Sequence, residues 1–189
     1  MIQTEKTNQT FVFIHDQDLL LEFEKNNKFK TLKNYTYVFL GSRDTSKLKD
    51  VKNLLVAKNF KKNLEDYPLF TAFTGWYMLW KNNLIKTNYV TFLEYDVVLK
   101  DFFEETISKL FYEDYDMIGY IPLKMNMYQY IKNPLWVEKL FLAIQKVHKI
   151  DMERTIKHEI SIHPDIMWSS TNNITFKQEI FEDLETEHK

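Results

Sequence analysis

Asn88-Tyr-Val-Thr-Phe-Leu-Glu-Tyr-Asp96 is an aromatic and β-branched run that passes without a break into two acids one residue apart. It reads as a strand from Tyr89 to Phe92 running into Leu93-Glu94-Tyr95-Asp96, followed by Val97-Val98-Leu99. In an open α/β sheet, ligands bind beyond the carboxyl ends of the strands, so acids at that point face a site instead of the core. In extended backbone, residues two apart project to the same side, which lets Glu94 and Asp96 approach one cation together. The plain alternative is a strand that simply ends at a solvated surface. Acid-x-acid pairs are common, and the spacing taken alone favours that plainer reading.

Upstream, Thr71 to Asn82 (TAFTGWYMLWKN) is too long an apolar run for one strand, and Pro68 stands just before it, which predicts a buried helix. Thr10 to His15 (TFVFIH) predicts a strand ending at Asp16, a good N-cap for the helical pattern Leu19, Leu20, Phe23. Tyr35 to Leu40 (YTYVFL) repeats the strand signal before Gly41-Ser42, and Leu54 to Ala57 is a third short strand. Downstream, Asp101 to Leu110 is helical and Asp116 to Ile121 is a strand closed by Pro122. Pro134 to Ile150 carries Val137, Leu140, Phe141, Ile144 and Val147 at helical spacing. Ser161 to Asn173 is loop-like, Ile174 to Phe176 extended, and Lys177 to Glu187 helical. Strands alternating with helices imply an α/β sandwich with a mainly parallel sheet.

The 189 residues, 44% hydrophobic and 16% aromatic, are enough to bury the core of one domain. A net charge of −2 asks for neither nucleic acid nor an anionic membrane as partner. There are no cysteines, which removes disulfides, thiolate zinc sites, iron–sulfur clusters and thiol nucleophiles. Met1 to Thr10 is polar, and no apolar run approaches the roughly 18 residues of a transmembrane segment. A cytoplasmic enzyme is the simplest expectation, although part of a longer multidomain protein would read the same way. With only Gly41, Gly75 and Gly119, neither G-x-G-x-x-G nor a Walker A loop can be built, so any nucleotide is held another way.

Two stretches shift the balance at Glu94 and Asp96. Tyr67-Pro-Leu-Phe-Thr-Ala-Phe-Thr-Gly-Trp-Tyr-Met-Leu-Trp-Lys-Asn-Asn-Leu84, followed by Tyr89-Val-Thr-Phe-Leu-Glu-Tyr-Asp96, resembles the nucleotide-sugar domain of GT-A glycosyltransferases. It is especially similar to small glycosyltransferase domains of large algal DNA viruses and some bacteria. Trp168-Ser-Ser-Thr-Asn-Asn-Ile-Thr-Phe-Lys-Gln-Glu-Ile-Phe181 resembles the family's acceptor-side loop and the helix after it. With the first strand and Tyr35 to Arg43, the likeness spans most of the chain.

The resemblance implies a Rossmann-like GT-A sandwich that transfers a sugar from a nucleotide-diphosphate donor, UDP-sugar favoured, to an acceptor hydroxyl on a glycan. If the chain is viral, it would act in the host cytoplasm. In that fold a helix precedes the strand bearing a metal-binding D-x-D signature. Here the signature is E-x-D, and the last acid is the usual direct ligand. Asp96 is therefore expected on Mn²⁺ or Mg²⁺, with Glu94 on the metal, its bound water or the ribose. Such an ion would neutralise charge on the leaving nucleoside diphosphate. The chain is short for the family, so acceptor recognition would fall to a partner or a further domain.

The likeness places base and ribose at the ends of the first two strands, where His15 and Asp16, then Gly41, Ser42 and Arg43, stand. Arg43 offers a forked donor to phosphate or base, though a lone surface arginine is usually just solvated. Thr74, Trp76 and Tyr77 are donor-site neighbours; for Trp76 core packing is the plainer role. Inverting transfer needs a base near the acceptor hydroxyl, generally a carboxylate, and Asp165 of His163-Pro-Asp165 is the candidate. His163 is a third metal ligand or an acceptor contact, while the plainer reading has Asp165 capping a turn after Pro164. Trp168, Ser169, Ser170 and Asn172 form the expected acceptor surface, in a polar cluster that would also suit an ordinary loop.

Two other functions compete. A non-catalytic nucleotide-sugar or carbohydrate-binding module on the same fold would bind donor without turnover. A nucleotidyltransferase would form the nucleotide sugar, but the segment after Phe11-Val-Phe-Ile lacks the glycine-rich basic loop those enzymes tend to carry.

Overall fold

The computed structural model describes residues 6–41, 43–66, 72–120, 122–124, 142, 145–146, 149–151, 153–155, 157–158, 167–169 and 173–181. The chain divides into two compact units, residues 1–118 with 172–189, and residues 119–171.

The first unit is mixed α/β. Its six-stranded sheet contains β1 (Asn8–Ile14), β2 (Tyr35–Phe39), β3 (Leu54–Val56), β4 (Tyr89–Glu94), β5 (Met117–Gly119) and β8 (Ile174–Lys177), in the order β3-β2-β1-β4-β8-β5. The β1–β2, β2–β3 and β1–β4 pairs are parallel, whereas β8 runs antiparallel to β4. Parallel strands covered on both faces read as unbroken apolar runs. This is why Phe11-Val-Phe-Ile14, Tyr37-Val-Phe39 and Tyr89-Val-Thr-Phe-Leu93 are buried at every position.

α1 (Gln17–Asn26) starts where Asp16 accepts the backbone N–H groups of Asp18 and Leu19, and it ends at Asn27 in the left-handed region with φ 49°. α2 (Ala72–Lys81) is the predicted buried helix. It covers the sheet face of Phe11, Phe13, Phe92 and Phe176, against which Met78, Leu79 and Trp76 pack. Gly75 lets it approach closely: a Cβ there would lie 2.4 Å from Cε1 of Phe13. On the opposite face, Phe111 of α3 (Phe103–Tyr112) stacks on Tyr89 at 4.2 Å, and Phe29, just after α1, meets Tyr37 at 6.0 Å.

Some local expectations are corrected. β4 stops at Glu94, Tyr95 and Asp96 form a turn closed by the Val97 N–H to Glu94 carbonyl bond of 3.3 Å, and Val97 to Leu99 is not a strand. Lys177 ends β8, and helix follows over 178–181. The second unit contains a two-stranded antiparallel sheet of β6 (Pro122–Lys124) and β7 (Met167–Ser169), so the stretch 161–173, read as loop, holds a strand. In the second unit Leu142, Gln145 and Lys146 are helical, whereas Lys149, with φ 60°, is not. Val137, Leu140, Phe141, Ile144 and Val147 lie outside the described residues.

Candidate functional site

The chain builds β1, β2 and β3 outward in one direction and then returns to place β4 on the other side of β1. Strand order reverses between β1 and β4, and an open α/β sheet leaves a crevice above such a reversal. A cleft of about 800 Å³ opens there, within the size range of small-molecule sites. Phe13, Ile14 and His15 line it from the end of β1; Leu40, Gly41 and Arg43 from β2; and Glu94, Tyr95 and Asp96 from β4. Glu65 and Asp66, after β3, and Ala72 and Thr74, in the first turn of α2, complete the lining.

The Glu94-Tyr95-Asp96 corner is held at several backbone points. The Glu94 N–H donates to Oδ1 of the buried Asn173 at 2.7 Å, and the Tyr95 N–H donates to the Phe13 carbonyl at 3.0 Å. The Tyr95 carbonyl accepts the Lys28 ammonium. Lys28 lies 4.0 Å from the centre of the Phe23 ring. Burial pulls its ammonium below the ordinary value, and the negative charge of Asp96 acts in the opposite direction. The Tyr95 ring meets His15 edge-on at 5.2 Å, so the ends of β1 and β4 are joined by side chains as well as by the ladder.

Glu94 is half-buried and Asp96 exposed, and both border the cleft. Two carboxylates fit a hard divalent cation, because Mg²⁺-type sites use one or two protein carboxylates and take the remaining ligands from phosphate and water. Among the described residues, no three of His, Asp and Glu gather at one point.

Of the residues expected at the nucleotide, His15, Arg43, Thr74 and Glu94 line the cleft. Asp16 does not. Its Oδ1 accepts the Asp18 and Leu19 N–H groups at 2.9 and 3.0 Å, and these bonds, the Leu19 one foremost, hold its carboxyl below the usual range, with Arg43 and His15 adding to the effect. Tyr77 lies outside the lining as well, its ring 6.2 Å from Trp80. Trp76 takes the plainer role, stacked on Phe92 at 5.1 Å within the core. Trp168 and Ser169 belong to β7 of the second unit, opposite Leu123 and Pro122 of β6. His163, Asp165, Ser170 and Asn172 lie outside the described residues.

Three residues that sequence reasoning missed stand at this site. Lys28 and Asn173 fix the acidic corner, and the sequence carries no motif for either. The third, Glu65, enters the cleft from a loop shaped by Asn63, whose Oδ1 accepts the Glu65 N–H at 2.9 Å while its Nδ2 donates to the Phe60 carbonyl. Glu65 Oε2 accepts the N–H of Gly41, a residue at φ 97° that only glycine adopts readily. Burial raises the Glu65 carboxyl above its ordinary value, and the Gly41 N–H opposes that rise. Set against known proteins, the chain matches no family model and no curated sequence.

Proposed function

We propose that the chain is a GT-A glycosyltransferase that moves a sugar from a nucleoside-diphosphate donor, UDP-sugar favoured, to an acceptor hydroxyl on a glycan. The observation that carries this reading is the cleft above the β1/β4 reversal with Glu94 and Asp96 on its β4 side. It is supported by the likeness of residues 67–96 and 168–181 to GT-A enzymes. His15, Thr74 and Arg43 contact the donor. Glu94 and Asp96 hold Mn²⁺ or Mg²⁺, which when bound neutralises charge on the leaving diphosphate.

In an inverting transfer the acceptor oxygen bonds to the anomeric carbon as the bond from that carbon to the diphosphate oxygen breaks. The electron pair leaves with the diphosphate, and the acceptor proton passes to Asp165. His163, Trp168, Ser169, Ser170 and Asn172 serve the metal or the acceptor.

The test is Asp96→Ala, assayed for Mn²⁺-dependent donor hydrolysis and transfer beside a circular-dichroism check of folding. Loss of at least 100-fold in rate with the fold intact is expected; full retained activity sinks the assignment. Donor binding without turnover by the native chain makes it a binding module instead.

A further inference from the structure

Lys28 stands at the acidic corner but outside the cleft lining. Its ammonium donates to the Tyr95 carbonyl, which shares one planar peptide unit with the Asp96 N–H, so a positive charge is fixed one peptide away from Asp96. The side chain is half-buried, and its ammonium lies 4.0 Å from the centre of the Phe23 ring and 5.3 Å from that of Phe29. Carbonyl and rings are neutral partners, and among the described residues the ammonium forms no ion pair. Its charge is therefore not cancelled at contact. The anion that acts on it is Asp96, whose carboxylate opposes the effect of burial on the ammonium. Holding a carbonyl needs only a donor, whereas a part-buried full charge carries a desolvation cost, so the charge itself calls for a use.

We infer that Lys28 is a resident counter-charge of the corner: without touching a divalent ion, it holds down the affinity of Glu94 and Asp96 for that ion. The inference rests on the proposed metal site and adds to it a residue that tunes the site through space. Glu94 and Asp96 offer an ion two negative charges, and the Lys28 ammonium offsets one of them. Lys28 has two effects on such an ion, and they differ in sign. Its hydrogen bond keeps the corner in shape, which favours the ion, while its charge repels the ion. The charge is the larger effect, because the corner retains its bonds from the Glu94 N–H to Asn173 and from the Tyr95 N–H to the Phe13 carbonyl. A unit and a double charge several ångströms apart alter affinity by about 3- to 10-fold even at the dielectric of water. The same ammonium attracts a diphosphate, so Lys28 discriminates against the bare ion and not against one paired with a nucleotide.

Binding of Mn²⁺ alone is measured on the full chain at low ionic strength, from the electron paramagnetic resonance signal of the free ion. Lys28→Gln keeps an amide donor without the charge, Lys28→Met keeps the apolar stem, and Lys28→Arg keeps the charge; circular dichroism confirms that each is folded. Lys28→Gln and Lys28→Met should bind Mn²⁺ about 3- to 10-fold more tightly than the native chain, and Lys28→Arg should match it. Added salt should shrink the gain. A purely structural Lys28 predicts the reverse order, with weaker binding once the corner loosens. Calorimetric titration of the same proteins with UDP, GDP and dTDP, with and without Mn²⁺, tests the proposed site itself. Mn²⁺-dependent nucleotide binding together with bare Mn²⁺ affinity that the folded neutral variants leave unchanged or lower, or uptake of bare Mn²⁺ by none of them, overturns the inference and leaves the glycosyltransferase reading standing. Absence of Mn²⁺-dependent binding for all three nucleotides overturns both.

Discussion

Asn173 and Glu94 meet through one hydrogen bond, in which the buried amide oxygen at the start of β8 accepts the last N–H of β4 at 2.7 Å. The buried Asn173 side chain is thereby turned inward as a clamp on the acidic corner. Removing the acceptor of a part-buried N–H costs about 1–3 kcal/mol. Asn173→Ala should lose that much in urea unfolding and should also weaken Mn²⁺-dependent donor binding. A variant with native stability and native Mn²⁺ response would show the clamp to be inert.

Asp16 separates two roles that one carboxylate can fill. Because its Oδ1 serves the first turn of α1, Asp16→Ala should lower Tm by about 2–4 °C and leave nucleotide affinity unchanged. Calorimetry and thermal melts on one preparation decide the matter. A tenfold affinity loss at unchanged Tm would return Asp16 to the binding site.

Gly75→Ala sets two effects against each other. Alanine favours a helix interior by about 1 kcal/mol over glycine. Its Cβ, however, would sit 2.4 and 2.8 Å from two atoms of a Phe13 ring that is buried and stacked on Phe92 at 5.7 Å, so the ring has little room to yield. Overpacking of this kind costs about 1–3 kcal/mol, and net destabilisation is expected in chemical unfolding. Increased stability would mean that Phe13 has a second rotamer to adopt.

Glu65 gives a pH dependence opposite in sign to that of a paired surface acid. Its folded value is raised by burial, so its contribution to stability is complete below the unfolded value near 4.5 and is lost as pH rises through the folded one. Glu65→Gln, which never ionises, should melt above the native chain at pH 8, and the gap should close on acidification. Melts from pH 4 to 8 check this, and a variant less stable than native at pH 8 contradicts it.

The strands at the centre of the sheet were legible because burial on both faces leaves little freedom of composition. Phe11-Val-Phe-Ile14 and Tyr89-Val-Thr-Phe-Leu93 announce themselves in this way. β6 and β7 span three residues each and were invisible to periodicity; the polar residues after Trp168 made that stretch read as loop. At the cleft, the strand-end rule located His15, Arg43 and the acidic pair. Tyr77 does not line it, because only the first turn of α2 borders the cleft, and three residues carry a helix about 4.5 Å further along its axis. Lys28 and Asn173 are separated in sequence from the corner they secure by 67 and 79 residues, and no local pattern encodes such pairings.

The ladder between β1 and β4 sets Phe11 opposite Phe92 and Phe13 opposite Glu94. A shift of one residue along β4 would send Phe92 to the other side of the sheet and carry Glu94 away with it. The hydrophobic code that aligns these strands is thus also the ruler that measures out the acidic pair. A single residue inserted into or deleted from this strand would therefore spoil interior and mouth in one stroke.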